Sequence, residues 1–230
     1  MIGILSDAHG HLAGFEKGLA LLRRHGARSF VFLGDAVGYV PSWDVLAALH
    51  REQASFHFIL GNHEEMLLAG VPRNDEVYQI GRLGDDDRPD LRAFAAGWPR
   101  SLSLTLPCGS VLLVHGSPDH PQNGYLYPDT PLEDIRVEHR FVFCGHTHRP
   151  FVRTAGATTF VNVGSCGLPR DDGRYGSVAL FDEDSGAVRI LRYGLEAEAA
   201  RLPQLVPGLH PAVIKTFSRR ANGLVGDFDV

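Results

Sequence analysis

The chain has 230 residues and almost no lysine: Lys17 and Lys215 are the only two, and the other basic residues are arginine. With a net charge of −5 and no basic tract, it offers no general attraction for nucleic acid or for an anionic membrane surface. Cysteine is scarce as well. Cys108, Cys144 and Cys166 are odd in number and form no Cys-x-x-Cys pair, which speaks against a disulfide framework and predicts free thiols in a reducing compartment. No apolar run approaches the length of a membrane span. No signal peptide fits the N-terminus, because Asp7 already ends the first predicted strand, so the expectation is a cytoplasmic protein. No Gly-rich phosphate loop occurs, and Gly164-Ser165-Cys166-Gly167 is not the Gly-x-Ser-x-Gly elbow of a serine hydrolase. Cys144 and Arg149 are separated by four residues, one fewer than a tyrosine-phosphatase loop needs.

What remains is ordinary for a globular protein: a hydrophobic content of 44% and a charged content of 21%, enough for one domain with a real core. The first sixty residues run strand, helix, strand, helix, strand, which implies an α/β start with parallel pairing. His11 to His25 is predicted as a helix, with Leu12, Phe15, Leu19 and Leu22 on one face and Gly26 just past its end. Ser42 is placed to cap a second helix, Trp43 to Glu52. Residues 64 to 105 are less regular. Arg73 to Ala96 is predicted as helical in part, broken by the acidic turn Gly84-Asp85-Asp86-Asp87-Arg88-Pro89, which reads as a solvated loop and lacks the spacing of a calcium site. Later strands are expected at Leu102–Leu106, Ser110–His115, Phe141–Gly145, Thr159–Val163, Ser177–Asp182 and Val188–Arg192, the last two joined by an Asp184-Ser185-Gly186 turn. The pattern suggests two sheets with helices outside them. Residues 1–195 then form the catalytic domain, and 196–230 a helical tail, broken by Pro203, Pro207 and Pro211, that packs on the same domain or on a neighbour.

Five apolar runs stop at residues that bind metals. Ile2–Ser6 leads to Asp7-Ala8-His9, Phe30–Gly34 to Asp35, and Phe56–Gly61 to Asn62-His63-Glu64. Val111–Val114 leads to His115, and Phe141–Gly145 to His146-Thr147-His148. Open sheets gather their sites outside the carboxyl ends of strands. Convergence there would assemble two Asp, one Asn and five His, too many donors for one ion and about right for two. In extended backbone, residues two apart point the same way, so Asp7 and His9 can face one ion, and His146 and His148 repeat the spacing. Asp35 can bridge two cations. Mixed nitrogen and oxygen ligation without thiolate suits Mn, Fe, Co, Ni or Zn rather than an all-oxygen Mg or Ca site. Two such ions about 3.5–4 Å apart form a clamp for in-line displacement at phosphorus. His63, beside Asn62 yet free of the metals, is placed to protonate the leaving oxygen.

The five motifs, in this order, resemble the calcineurin-like metallophosphoesterase superfamily: Asp7-Ala8-His9-Gly10, Gly34-Asp35, Gly61-Asn62-His63-Glu64, Val114-His115-Gly116 and Gly145-His146-Thr147-His148. Each is weak alone, and together they are specific. The resemblance is strongest to the small YfcE-like phosphodiesterases, whose Asn-Pro-Gly-Ser-Val-x-x-Pro segment is similar to Asn162–Pro169, with Val163 and Cys166 as departures. The resemblance implies an α/β fold, a four-layer αββα sandwich of two mixed sheets flanked by helices. It implies one metal on Asp7, His9, Asp35 and His148, and a second on Asp35, Asn62, His115 and His146, with manganese the first choice. A metal-bridging hydroxide would attack a small phosphodiester or phosphomonoester in line, with His63 as general acid.

Gly34-Asp35-Ala36-Val37-Gly38-Tyr39 lacks the arginine of the Gly-Asp-x-Val-Asp-Arg-Gly motif, which demotes protein Ser/Thr phosphatase and dinucleotide polyphosphate hydrolase activity. A non-catalytic scaffold of the retromer type is also demoted, because every ligand type is present. A nuclease would need a basic DNA-binding region that is missing. The expected partner is a small phosphorylated substrate, with no membrane, no strong nucleic-acid binding and homo-oligomers allowed. Tyr39 and Arg149 are the candidate substrate contacts, with Asn123, Tyr125, Tyr127 and Arg170 in nearby loops. Taken singly, His25, His50, His57, His120, His139 and His210 read as surface or core residues, and His11 as a helix start.

Overall fold

The computed structural model describes residues 1–70 and 74–229, without the side chain of Asp85. Arg73, where the partly helical stretch was expected to start, lies outside the described residues. The chain opens β1 (Ile2–Leu5), α1 (Leu12–Arg24), β2 (Ser29–Phe32), α2 (Asp44–Arg51), β3 (Phe56–Phe58), α3 (Asn62–Ala69), α4 (Asp75–Tyr78), α5 (Pro89–Ala96). It continues β4 (Ser101–Leu106), β5 (Gly109–Val114), β6 (Phe141–Cys144), β7 (Phe151–Ala155), β8 (Thr158–Asn162), β9 (Tyr175–Phe181), β10 (Val188–Gly194), α6 (Glu196–Leu205), α7 (Pro211–Thr216), β11 (Asp227–Asp229).

Two mixed sheets stack face to face. One runs β11-β10-β9-β1-β2-β3, with β1, β2 and β3 parallel and β9 antiparallel to β1; the other runs β4-β5-β6-β8-β7, with β5, β6 and β8 parallel. Ile4, Val31, Leu33, Val111, Phe143 and Phe181 fill the space between them. Both faces of β1, β2 and β6 are buried, which is why these strands read as unbroken apolar runs rather than alternating ones, while the edge strand β3 exposes His57. The helices α1, α2 and α5 cover the six-stranded sheet through Phe15, Leu19, Leu22, Leu46, Leu49 and Leu91. Over the five-stranded sheet the cover is the segment between β5 and β6, anchored by Leu126 and Leu132. The mixed α/β sandwich flanked by helices is thus the fold that the sequence pattern implied.

Local chemistry accounts for the element ends. Gly26 sits at φ +87° just past α1, where a side chain would be strained. Ser42 Oγ accepts from Asp44 N at 3.0 Å, so α2 starts one residue later than expected. The exposed Asp86 and Asp87 precede α5, which opens on Pro89. The β9–β10 hairpin closes through Gly186 N to Asp182 O at 2.8 Å.

Several elements depart from expectation. The helix α3 begins at Asn62 itself, where a strand-end loop was expected, because Gly61 adopts extended backbone and Glu64 reaches back to Gly61 N at 3.1 Å. The tail is not helical throughout: β11 pairs in parallel with β10. Pro203 lies inside α6 instead of ending it. Leu202, Leu209 and Val213 of the tail pack on Val40 and Leu168 of the same chain. No helix among the described residues is long and apolar enough to cross a membrane.

Candidate metal centre

The carboxyl ends of β1, β2, β5 and β6 and the start of α3 bring Asp7, His9, Asp35, Asn62, His63, His115, His146 and His148 into one buried crevice. The donor atoms form three overlapping groups: Asp7 with His9 and His148, His9 with Asp35 and His63, and Asp35 with His115 and His146. His25, His50, His57, His120, His139 and His210 join no such group among the described residues.

The backbone that achieves this is not extended. Asp7, His9, Asp35, His146 and His148 all have positive φ, between 52° and 63°, and only Tyr39 and Gln79 share this among the other described non-glycine residues. Left-handed backbone at a non-glycine residue costs of order 1 kcal/mol or more and persists where surroundings enforce it. Here the enforcement is visible. His9 N donates to Asp35 O at 2.9 Å and Asp7 N to Gly34 O at 3.0 Å, so adjacent strand-end loops hold each other. The geometry also corrects the simple i, i+2 expectation. Asp7 and His9 share a group, but His148 joins them while His146 turns to Asp35 and His115.

Hydrogen bonds fix the ring tautomers, because a carbonyl can only accept. His9 Nδ1 donates to Val37 O (3.2 Å), His148 Nδ1 to Leu168 O (2.5 Å) and His115 Nδ1 to Leu33 O (2.7 Å). In the neutral rings each Nε2 therefore points a lone pair into the crevice. His9 Nε2 faces His148 Nε2 at 3.1 Å, and Asp7 Oδ1 lies 3.2 Å from His148 Nε2 with no hydrogen-bond partner. His115 Nε2 faces Asn62 Oδ1 at 3.0 Å, His146 Nδ1 at 3.2 Å and Asp35 Oδ2 at 3.3 Å. Acceptors facing acceptors in a buried space repel, and a cation between them removes the repulsion. The outer N–H of each ring on a backbone carbonyl is the usual support for a metal-binding imidazole. The donor set thus fits divalent metal ions.

Electrostatics agree. Burial alone would raise the Asp7 and Asp35 carboxyls, yet the imidazoles of His148 and His115 respectively hold them below the usual range. Burial would lower His115, but Asp35 outweighs it and raises the ring to about 9, so without a metal a proton takes the cation's place. Burial, with the charge of His115, takes His146 down to about 4. Burial takes His63 down to about 4 as well. His63 Nε2 lies 4.0 Å from Asp35 Oδ2, and a Cβ at Gly38 would meet His63 Nδ1 at 2.0 Å, so only glycine leaves room for this ring.

Three residues outside the expected set hold the crevice. Glu64 accepts from Asp35 N (2.7 Å), Ala36 N (2.7 Å), Val37 N (3.3 Å) and Gly61 N (3.1 Å), clamping the Asp35 loop onto α3. Burial and the Asp35 charge raise its carboxyl to about 7. Its place three residues after the strand-end Gly61 was the available signal. Asn162 Nδ2 donates to Gly145 O at 2.6 Å, and Ser165 Oγ donates to Asp7 O at 2.7 Å, which explains the Asn162–Pro169 segment. Cys166 and Cys144 are buried and free, with thiols pushed up by burial, so neither is a nucleophile.

Around the rim, Tyr39 packs its ring 4.7 Å from His9 and 5.0 Å from His63, and Tyr125 lies 4.4 Å from His146. Arg170 Nη2 donates to Tyr39 Oη at 2.8 Å. Arg149, Asn123 and Tyr127 are exposed. His11 starts α1 as expected, but its Nδ1 donates to Gly167 O at 2.7 Å instead of capping the helix. A cavity of about 830 Å³ lies beside the crevice between α1, α2 and α6, and none of the eight converging residues lines it.

Residues 1–186 match the family model of the calcineurin-like phosphoesterase superfamily domain. An uncharacterised protein of Methanocaldococcus jannaschii is 25% identical over 221 residues, covering 87% of this chain and 90% of the relative. The crystal structure of a metallophosphoesterase from Sphaerobacter thermophilus superposes with a TM-score of 0.73 at 22% identity, covering 94% of this chain and 98% of its own. YfcE, a phosphoesterase from E. coli, superposes with a TM-score of 0.53 at 21% identity, covering 86% and 94%. The two structural likenesses are likenesses of fold, and the match over residues 1–186 carries the assignment: the chain belongs to the calcineurin-like phosphoesterase superfamily.

Proposed function

We propose that this protein is a two-metal phosphoesterase acting on small nucleotide-like phosphodiesters or phosphomonoesters. The observation that carries this is the convergence of buried donor atoms on two sides of Asp35, with the outer N–H of His9, His115 and His148 each on a backbone carbonyl. Asp7, His9, Asp35 and His148 would hold one ion, and Asp35, Asn62, His115 and His146 the other; manganese suits this donor set, as do Fe, Co, Ni and Zn. Two such ions, when bound, polarise phosphoryl oxygens and make a water acidic enough to attack phosphorus in line. The chain's own residues do the rest. Asp35 accepts His63 N through Oδ1 at 2.9 Å, which leaves Oδ2 toward His9, His63 and His115. The His63 ring, belonging to the same buried group yet outside the two ligand sets, is the group we assign to protonate the leaving oxygen; burial keeps it neutral at rest, so it must first take up the proton that it passes on. Tyr39 and Arg149 border the place for the rest of the substrate.

The test is a paired assay on metal-stripped protein reloaded with Mn, Ni, Co, Zn or Mg, with bis-p-nitrophenyl phosphate against p-nitrophenyl phosphate and metal counted in the same samples. About two ions per chain with turnover supports the proposal; no bound metal and no turnover favours a non-catalytic scaffold. His63→Ala should keep its metal and lose about 10²–10⁴-fold in rate on an ester with a poor leaving group, with a smaller loss on a nitrophenyl ester. Normal turnover of the poor-leaving-group ester by that variant would remove His63 from the role.

A further inference from the structure

Backbone contacts beside the crevice bring together three segments that each carry an arginine, and none of the three is paired with a carboxylate among the described residues. Arg149 follows His148 directly, and Arg170 N donates to His148 O at 3.2 Å, which sets these two backbones side by side. Arg219, from the turn after α7, donates through Nη1 to Arg170 O at 3.3 Å, and its own carbonyl accepts from Gly173 N at 3.0 Å. The acids next in sequence to Arg170 are already committed. Asp171 pairs with Arg192 at 2.7 Å, and Asp172 with Arg174 at 2.9 Å. No ion pair among the described residues involves Arg149, Arg170 or Arg219. Burial, with the charges of Arg170 and Arg149, pulls the Arg219 guanidinium below its usual range, as expected of crowded cations. Arg170 is also tied to the site. It holds the Tyr39 hydroxyl, its guanidinium carbon lies 5.7 Å from the Tyr39 ring centroid, and that ring packs on His63 and His9. A cluster of like charges, one tyrosine ring from the candidate acid and without a counter-ion from the chain, is built for an anion brought by a ligand.

We propose that Arg149, Arg170 and Arg219 form a second anion subsite, which holds a phosphoryl group carried on the leaving portion of the substrate. The preferred substrates are then nucleotides with a phosphate besides the one being hydrolysed. This rests on the phosphoesterase reading above. The subsite lies on the His63 side of the crevice, so the second phosphate belongs to the part of the substrate that departs. It also gives the tail, beyond the matched residues 1–186, a part in specificity through Arg219.

Two measurements test it. In the first, metal-stripped protein is titrated with inorganic phosphate. Metal removal takes away the strongest competing anion site, and comparison with the arginine variants shows which binding is theirs. Binding should weaken about tenfold in Arg149→Gln and in Arg219→Gln, and disappear in the double variant, as expected for the loss of charged hydrogen bonds. Arg220→Gln, which removes one exposed charge outside the cluster, serves as the control. In the second, the metal-loaded enzyme is given adenosine 2′,3′-cyclic phosphate with and without a 5′-phosphate. The 5′-phosphorylated nucleotide should be preferred in kcat/KM by about tenfold or more, and the preference should collapse toward one in Arg149→Gln/Arg219→Gln. No arginine-dependent phosphate binding, or a preference ratio near one in the wild type, overturns the subsite even if turnover is vigorous. Failure to hydrolyse either nucleotide or bis-p-nitrophenyl phosphate sinks the phosphoesterase reading instead, and the phosphate titration is unaffected by that failure.

Discussion

Two buried polar clusters in this fold face the same desolvation cost and end in opposite states. Around Arg192, fully buried on β10, the chain supplies every partner. Asp171 takes Nη1 and Nη2 at 2.7 and 3.2 Å, and the carbonyls of Gly176, Tyr175 and Val225 take the remaining donors. Around Asp35 the pairing is incomplete. Acceptors face acceptors, and Asp7 Oδ1, His63 Nδ1 and His146 Nε2 are buried without a hydrogen bond. Burying a charge costs several kcal/mol unless it is paired. The first cluster meets that cost from within the chain, and the second leaves it open. A buried cluster closed by its own residues is structural, whereas one held open by strained backbone is waiting for something from solution.

The sharpest way to break the comparison is Asp35→Asn. A neutral amide bridges two cations badly, so this variant should lose bound metal and about 10⁴-fold or more in kcat/KM. Metal content and turnover on one preparation check it, and full retention of two ions would refute the bridge. The reciprocal experiment is Arg192→Ala. It leaves Asp171 without its partner and should cost about 3–5 kcal/mol by denaturant unfolding. The metal content of the folded fraction should not change. If metal is lost together with stability, the two clusters are not separable.

Glu64→Gln sits between these extremes, because Glu64 is a closed clamp that serves the open site. An amide has one acceptor oxygen in place of two, so part of the hold on Asp35 N, Ala36 N, Val37 N and Gly61 N is lost. The expected result is metal affinity weakened about 10–100-fold in a protein that still folds, read by competition with a chelator. Unchanged affinity would make the clamp redundant.

The parts legible in the sequence were those fixed by local pattern. Unbroken apolar runs gave the parallel strands, and abrupt stops at Asp, Asn and His marked the crevice. The family resemblance assigned His146 and His148 to different ions, and in the coordinates the two rings lie in different donor groups. What could not be read depended on long-range contact. The left-handed backbone at Asp7, His9, Asp35, His146 and His148 is set by neighbouring loops, and nothing local in Asp-Ala-His or His-Thr-His announces it. β11 was missed because it borrows its ladder from the distant β10 and is three exposed residues long, whereas β7 pairs locally with β8 and was missed because exposed Val152 and Thr154 alternate with its covered positions and leave no apolar run. Glu64 was read as part of a metal motif, yet its contacts are four backbone N–H groups, three of them nearly thirty residues away in sequence.

A smaller effect tests whether closed clusters are stabilising in the way the comparison requires. Asp172 is buried beside Arg192's partner Asp171. It accepts from Arg174 Nε and Nη2 at 3.0 and 2.9 Å, from Arg174 N at 3.0 Å, and from Ala221 N of the tail at 3.2 Å. The side-chain hydrogen bond from Arg174 is the main reason that its carboxyl falls from 3.8 to about 2. A carboxyl whose pKa is lower folded than unfolded stabilises the fold fully above the unfolded value, and the contribution fades as pH falls through the folded one. The window is therefore about pH 4 down to pH 2. Arg174 is about a third exposed, so solvent screening limits the contribution to about 1 kcal/mol. Asp172→Asn cannot titrate. Its unfolding free energy should fall less steeply between pH 4 and pH 2 than that of the wild type, while starting lower at neutral pH. Parallel curves over that interval would mean that Asp172 is as readily protonated in the folded chain as in the unfolded one, and that this cluster owes its order to packing rather than to charge.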